Sequence, residues 1–188
     1  HDIAKPVTKR YDPKQGWTFH GHEERGARMT PGIFRRLKLP MNEHMNFVQT
    51  LVRLHLRPIA LAKEVTDSAI RRLLFEAGDY TDALMKLCKA DITSKNTEKV
   101  SRYLRNFEEV ERKMLEVEDK DRIRNFQPPV SGEEIMQLFA IPPSRTVGEI
   151  KDEIRESILE GTIRNDRQEA WTLMLAIAAR KGLVPKNS

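Results

Sequence analysis

Apolar side chains recur at every third or fourth position along most of this chain, the spacing that gives an α-helix one buried face. That period predicts a helix over Glu23 to Leu39, in which Pro31 must open a new first turn or kink the axis. A second runs from Asn42 to Leu56 and ends before Arg57-Pro58, and a third covers Asp67 to Ala77 and stops at Gly78. A fourth, from Asp79 to about Ser94, carries Asp91 on its last turns. From Thr97 to about Asn125 the apolar positions narrow to Val100, Tyr103, Phe107, Val110, Met114 and Val117, while the other faces hold eight acids and eight bases. Such a helix packs along one side only and bridges from one unit to another. The one strand-like stretch is VTKRYDPKQGWTFHG, where two short runs flank the turn cluster from Asp12 to Gly16; it predicts a small hairpin that delivers His20 and His22.

Phe126-Gln127-Pro128-Pro129 marks a boundary, and three short helices follow it. Ser131 with Glu134 and Thr146 with Glu149 both fit the capping box, in which a hydroxyl and a carboxylate satisfy free amides at a helix start; Asn165 with Gln168 fits it less well. Gly161 and Gly182 close the last two helices. The expected fold is therefore all-α, a helical bundle with a small N-terminal β-hairpin, a long bridging helix over 97–125 and a C-terminal three-helix module. Residues 1–126 and 127–188 form the two expected domains.

Composition narrows the class. With 188 residues, no apolar stretch near the ~20 residues of a membrane span and no signal-peptide core, the chain reads as intracellular, soluble and cytoplasmic. Its single cysteine, Cys88, excludes an internal disulfide and sits in a helical pattern as a small buried apolar residue. The net charge of +5 is not spread evenly: residues 1–40 hold nine Lys/Arg against four Asp/Glu, and the remainder holds twenty-four of each. Phosphate is the natural partner of the basic segment. The last 62 residues carry eight bases against nine acids and no aromatic-rich strand, so composition alone does not advertise RNA there.

All five histidines, His1, His20, His22, His44 and His55, fall in the first 55 positions. Together with Asp2 and Asp91 they supply the imidazoles and carboxylates of a mixed nitrogen and oxygen metal site. Helix geometry limits the combinations, because His44 and His55 stand about 16 Å apart along a shared axis and cannot bind one ion.

The phrases HDIAKP, FHGHEERGA, LVRLHLRP and KADITSKN resemble the HD-domain phosphohydrolases. In this order and spacing they are most similar to the HD region of bacterial tRNA nucleotidyltransferases, the CCA-adding enzymes. PPVSGEEIM followed by VGEIKDEIRESILEGTIRN resembles the RNA-facing C-terminal part of the same family, so the resemblance covers nearly the whole chain. It implies a metal site in which His1 and Asp2 are the paired ligands, His22 the downstream histidine and Asp91 the closing aspartate. His55 matches a further histidine of members with an extended or second metal position, and Lys5 a lysine that contacts substrate phosphate. His20 and His44 match no ligand position and are expected to be structural or exposed.

The implied chemistry is hydrolysis of a phosphate ester assisted by a divalent ion, Mg, Mn, Ni or Zn, with Asp2, Lys5 and Asp91 as the catalytic side chains. Asp2 or Asp91 would accept the proton of the attacking water, and Lys5, Lys9, Arg25 and Arg28 would neutralise phosphate. The implied partner is tRNA, with CTP and ATP as substrates of the parent enzyme in tRNA 3′-end maturation or repair. The family's nucleotide-adding head carries a Gly-Ser stretch followed by an Asp-x-Asp pair, a combination absent here, so nucleotidyl transfer is not expected of this chain alone. The superfamily also uses a histidine upstream of the His-Asp pair, which makes the chain an expected C-terminal portion beginning within its own metal site. Two other readings stand beside this one: a free-standing HD phosphohydrolase of nucleotides or cyclic phosphates, and a non-catalytic helical RNA-binding module.

Overall fold

The computed structural model describes residues 1–61, 65–92 and 96–186. Its elements in chain order are α1 (Lys5–Thr8), β1 (Arg10–Asp12), β2 (Gly16–Thr18), α2 (His22–Arg36), α3 (Glu43–Leu54), α4 (Arg57–Leu61) and α5 (Asp67–Ala77). A short 3-10 turn, Gly78–Tyr80, leads into α6 (Thr81–Ala90), and then come α7 (Thr97–Asp121), α8 (Gly132–Phe139), α9 (Arg145–Glu160) and α10 (Arg167–Arg180). The fold is all-α with one small antiparallel hairpin, as the periodicity predicts. Among the described residues no helix is long and apolar enough to cross a membrane.

In the hairpin Arg10 faces Thr18, Tyr11 faces Trp17 and Asp12 faces Gly16. The Asp12 carboxylate closes the turn by accepting from the amides of Lys14 (2.8 Å) and Gln15 (2.9 Å), and Gly16 takes the positive φ of 78° that the turn requires. Strand pairing begins at Arg10, because Pro6 lies in the first turn of the helix α1 and Thr8 bonds back to the Ala4 carbonyl. The hairpin therefore does not carry His22, which is the first residue of α2.

Helix α2 runs through Pro31 without opening a new first turn. Proline leaves the carbonyl of Ala27 without its helical donor. The side-chain amide of Gln49 on α3 supplies one at 2.8 Å, so the defect becomes a tie between two helices. Asn42 caps α3 by accepting from the His44 amide, and α6 ends at Ala90, which places Asp91 just past the helix end rather than on its last turns. Ser94, the expected end of that helix, lies outside the described residues.

The C-terminal caps divide. Ser131 and Glu134 form the full reciprocal box, and Gly161 and Gly182 adopt positive φ where the chain leaves its helices. Thr146 is not a cap: Ser144 is extended behind Pro142-Pro143, α9 starts at Arg145, and the Glu149 carboxylate is drawn off by Arg145 and Lys181. Nor is Asn165, whose place is taken by Asp166, which accepts from the amides of Gln168 and Glu169. A charged carboxylate at that position also meets the positive end of the helix dipole.

The chain groups into two compact units, His1–Val65 with Glu76–Arg112, and Thr66–Phe75 with Lys113–Ser188. The first buries Leu51, Leu54, Leu84, Met85, Phe107 and Val110. In the second, Ile70, Leu73 and Leu74 of α5 are buried together with a core from α8, α9 and α10 that includes Ile135, Ile150, Ile154 and Met174. Charges fix α5 there: Arg71 donates to Asp121 at 2.7 Å, Arg72 to Glu156 at 2.6 Å and to Glu160, and Lys113 pairs with Asp67 at 2.9 Å.

Candidate metal centre

Four pieces of the first unit bring the candidate ligands together. His1 and Asp2 precede α1, pinned by the fully buried Ala4 and by the Asp2 carbonyl, which accepts from the Lys5 amide. His22 opens α2 after Gly21, whose φ of 75° turns the chain. Its backbone N–H and its ring Nδ1–H both reach the Phe19 carbonyl, at 3.2 and 2.8 Å. His55 caps the C-terminus of α3 and donates from Nδ1 to the Val52 carbonyl at 2.6 Å. Asp91 follows α6, and from that helix the Cys88 thiol donates to the His55 carbonyl at 3.0 Å. Burial pushes that thiol up to about 12, so it stays protonated and serves as a strut, neither nucleophile nor ligand.

The ligand atoms converge closely. His22 Nε2 lies 3.2 Å from His55 Nε2 and 3.4 Å from Asp2 Oδ1, and His55 Nε2 lies 4.0 Å from the same oxygen. His1 Nε2 is 3.5 Å from Asp2 Oδ2 and 3.1 Å from Asp91 Oδ1. One atom each from His1, Asp2 and His55 falls within 4.8 Å of the others. Lys5 Nζ donates to Asp2 Oδ2 at 2.7 Å, which ties the lysine to the same carboxylate. His20 and His44 are exposed and meet none of these groups.

The hydrogen-bond inventory says what this cluster wants. A carbonyl only accepts, so Nδ1 of both His22 and His55 must carry a hydrogen, and a ring in its neutral form turns a bare lone pair inward at Nε2. Where both rings are neutral, two such lone pairs meet at 3.2 Å and repel. Asp2 Oδ1, a third acceptor in the same space, is buried and has no donor. Burial, the largest influence, holds the His55 pKa below its usual 6.5, which favours the unprotonated ligand form. A divalent cation satisfies all three acceptors at once, and the Nδ1 contacts to backbone carbonyls are the outer bonds that orient metal-ligating imidazoles. The residues present thus fit a metal ion.

Two supports escaped the sequence reading. Glu23 sits with Oε2 3.6 Å from His22 Nδ1 and otherwise unpartnered, and Gly26 sets the distance between α2 and α3. A Cβ at Gly26 would stand 2.9 Å from Cγ1 of Val52, a stiff β-branched side chain that is only 6% exposed. Gly26→Ala is therefore expected to cost about 1–3 kcal/mol and to weaken metal binding by spreading His22 from His55. Urea denaturation and metal titration check both effects. The Gly26→Ala/Val52→Ala double variant should recover part of each loss, and simple additivity would show that the helices do not meet through this contact.

The HD domain family matches residues 1–96. The CC-adding tRNA nucleotidyltransferase of Thermus thermophilus is 30% identical over 178 residues, covering 93% of this chain and 38% of the relative. The A-adding tRNA nucleotidyltransferase of Deinococcus radiodurans is 28% identical over 167 residues, covering 87% of this chain and 37% of the relative. The chain thus spans less than two fifths of the length of either. No solved structure matches it.

Proposed function

The chain belongs to the HD domain family, and from that premise we propose that its first unit is a metal-dependent phosphohydrolase site within a protein of the tRNA nucleotidyltransferase type. The observation that carries the reading is the meeting of His22 Nε2, His55 Nε2 and the donorless Asp2 Oδ1 in one small space. His1, Asp2, His22, His55 and Asp91 would hold the ion. When bound, a divalent ion lowers the pKa of water and polarises a phosphoryl oxygen. Lys5, anchored on Asp2, would present a positive charge to phosphate, while Asp2 or Asp91 would take a proton from attacking water. Asp91 also holds the His1 ring in place.

The relatives' names support a role on tRNA, and we infer from it that the whole protein acts in tRNA 3′-end maturation or repair in the cytoplasm, with CTP and ATP as substrates of a nucleotide-adding head. In this reading residues 1–126 are the HD-type domain, with its bridging helix over 97–125, and residues 127–188 face tRNA. In protein that includes the head, Asp2→Ala should abolish metal-dependent phosphate release from nucleotides or cyclic phosphates while CMP and AMP addition continues. Equal loss of both activities in folded protein would mean that they share one site.

Acid provides a second test. The folded His55 pKa is lowered, so the unfolded chain binds the extra proton more readily. The contribution of this group to stability is complete above the usual 6.5 and is lost as pH falls below it toward the folded value. Calorimetric titration with Ni, Mn, Zn and Mg should show affinity declining over the same acid range, with one proton or more released per ion at the lower pH. Affinity independent of pH between about 5 and 7 would remove the imidazoles from the ligand set.

A further inference from the structure

The hairpin and the first turns of α2 enclose a cleft of about 630 Å³ lined by Val7, Thr8, Arg10, Thr18, His20 and Arg25, with no carboxylate among them. Many other arginines are neutralised in pairs, Arg57 with Glu76, Arg71 with Asp121, Arg72 with Glu156 and Arg167 with Glu134. Among the described residues the guanidinium groups of Arg10 and Arg25 meet no carboxylate and no acceptor. Two cations facing one cleft repel each other, and an entering anion relieves that repulsion. The hydroxyls of the cleft are already committed, Thr8 donating to the Ala4 carbonyl and Thr18 to the Arg10 carbonyl. What the cleft offers is therefore charge, which suits phosphodiester oxygens rather than a hydrogen-bond pattern specific to one small molecule.

The other face of the hairpin adds a second observation. Tyr11 and Trp17 are cross-strand partners, so they share one face, and strand alternation turns Arg10 and Thr18 to the opposite one. Trp17 is 59% exposed and Tyr11 63%, their ring centroids 5.3 Å apart in an edge-to-face pair, with Lys9 Nζ 4.2 Å from the Trp17 centroid. Large aromatic rings left in water beside a cation form a stacking platform for unpaired bases. We propose that the hairpin docks single-stranded RNA, with backbone phosphates in the Arg10 and Arg25 cleft and, where the strand has passed the hairpin edge to the opposite face, a base on Trp17. The excess of nine Lys/Arg over four Asp/Glu in residues 1–40 supplies the long-range attraction. The inference rests on the reading above only for RNA as the polynucleotide.

The test is fluorescence anisotropy of a labelled, unstructured oligoribonucleotide of about a dozen nucleotides, a length within reach of such platforms, titrated with the full chain in EDTA. Metal binding and hydrolysis do not enter that measurement, so its failure leaves the metal titration to judge the phosphohydrolase reading separately. Arg10→Ala/Arg25→Ala should weaken binding about tenfold or more and flatten the salt dependence by about 1.4, roughly 0.7 for each lost phosphate contact. Trp17→Ala should weaken it about tenfold through lost stacking. Arg35→Ala/Arg36→Ala removes the same charge from the exposed far end of α2 and should cost less than about twofold. The inference is overturned by no binding in the unaltered chain, by equal losses in the two arginine pairs, by no loss in Trp17→Ala, or by equally tight binding of a duplex.

Discussion

Replacing Asp2 with asparagine should lower affinity for a divalent ion by about a hundredfold or more while the metal-free protein keeps its stability or gains some. The two properties separate because Asp2 does opposite things in the two states. Without an ion, its Oδ1 is a buried acceptor with no donor, 3.4 Å from the bare Nε2 of His22. Such a group carries an unrepaid desolvation cost of about 1–3 kcal/mol. An asparagine amide can donate to that nitrogen and relieve the conflict. What is lost is the pairing with Lys5, whose side chain and partner are both 39% exposed, so the loss to solvent is small. With an ion present, the substitution removes a negatively charged ligand, and loss of even an outer supporting bond costs about tenfold to a hundredfold. Thermal melts in EDTA beside calorimetric titration with Mn and Ni read the two effects. An unchanged affinity, or a metal-free protein several kcal/mol weaker, would mean that Asp2 is an ordinary structural acid.

The largest loss of stability is expected from Asp121→Ala. Arg71 and Asp121 join α5 to the end of α7 at 2.7 Å, with side chains only 10% and 16% exposed. The guanidinium also lies under Gly161, where an added Cβ would come within 2.6 Å of Nη1, so it has little room to swing out to water. Removing Asp121 leaves the buried guanidinium with only the Asp67 carboxylate, 4.0 Å away and 42% exposed, at a cost of up to about 3–5 kcal/mol. In a chain of this size that corresponds to a fall in melting temperature of roughly 10 °C. Arg71→Met/Asp121→Leu should recover most of it, because replacing a buried ion pair by apolar groups of similar volume is often neutral or better. A loss below about 1 kcal/mol in Asp121→Ala would show that water reaches the guanidinium.

Much of the fold is legible without coordinates where its cause is local. Asn42 before an amphipathic run, Ser131 three residues before Glu134, and Gly161 and Gly182 at helix ends act on atoms within a turn of themselves, and the structure uses all of them. The pattern misleads where a distant group competes for the same atom. Thr146 and Glu149 have the right spacing for a cap, but Lys181, 32 residues away, takes the carboxylate. Pro31 opens no new first turn, and Gln49 on another helix supplies the donor that the Ala27 carbonyl lacks.

The same division holds for the candidate site. By itself the sequence determined the helical class, the hairpin turn, the crowding of basic residues and histidines at one end, and the impossibility of one ion shared by His44 and His55, since all of these follow from composition or from the pitch of a single element. Only the tertiary structure decided that His22 and His55 meet at 3.2 Å, that His1 reaches Asp91 across 90 positions, and that Cys88 and Gly26 serve that meeting. It also decided that Thr66–Phe75 groups with the C-terminal residues through Arg71 and Arg72. The physical reason is common to both: lone pairs, buried charges and close backbone approaches depend on distances between elements, and packing sets those distances where no periodicity within one element records them.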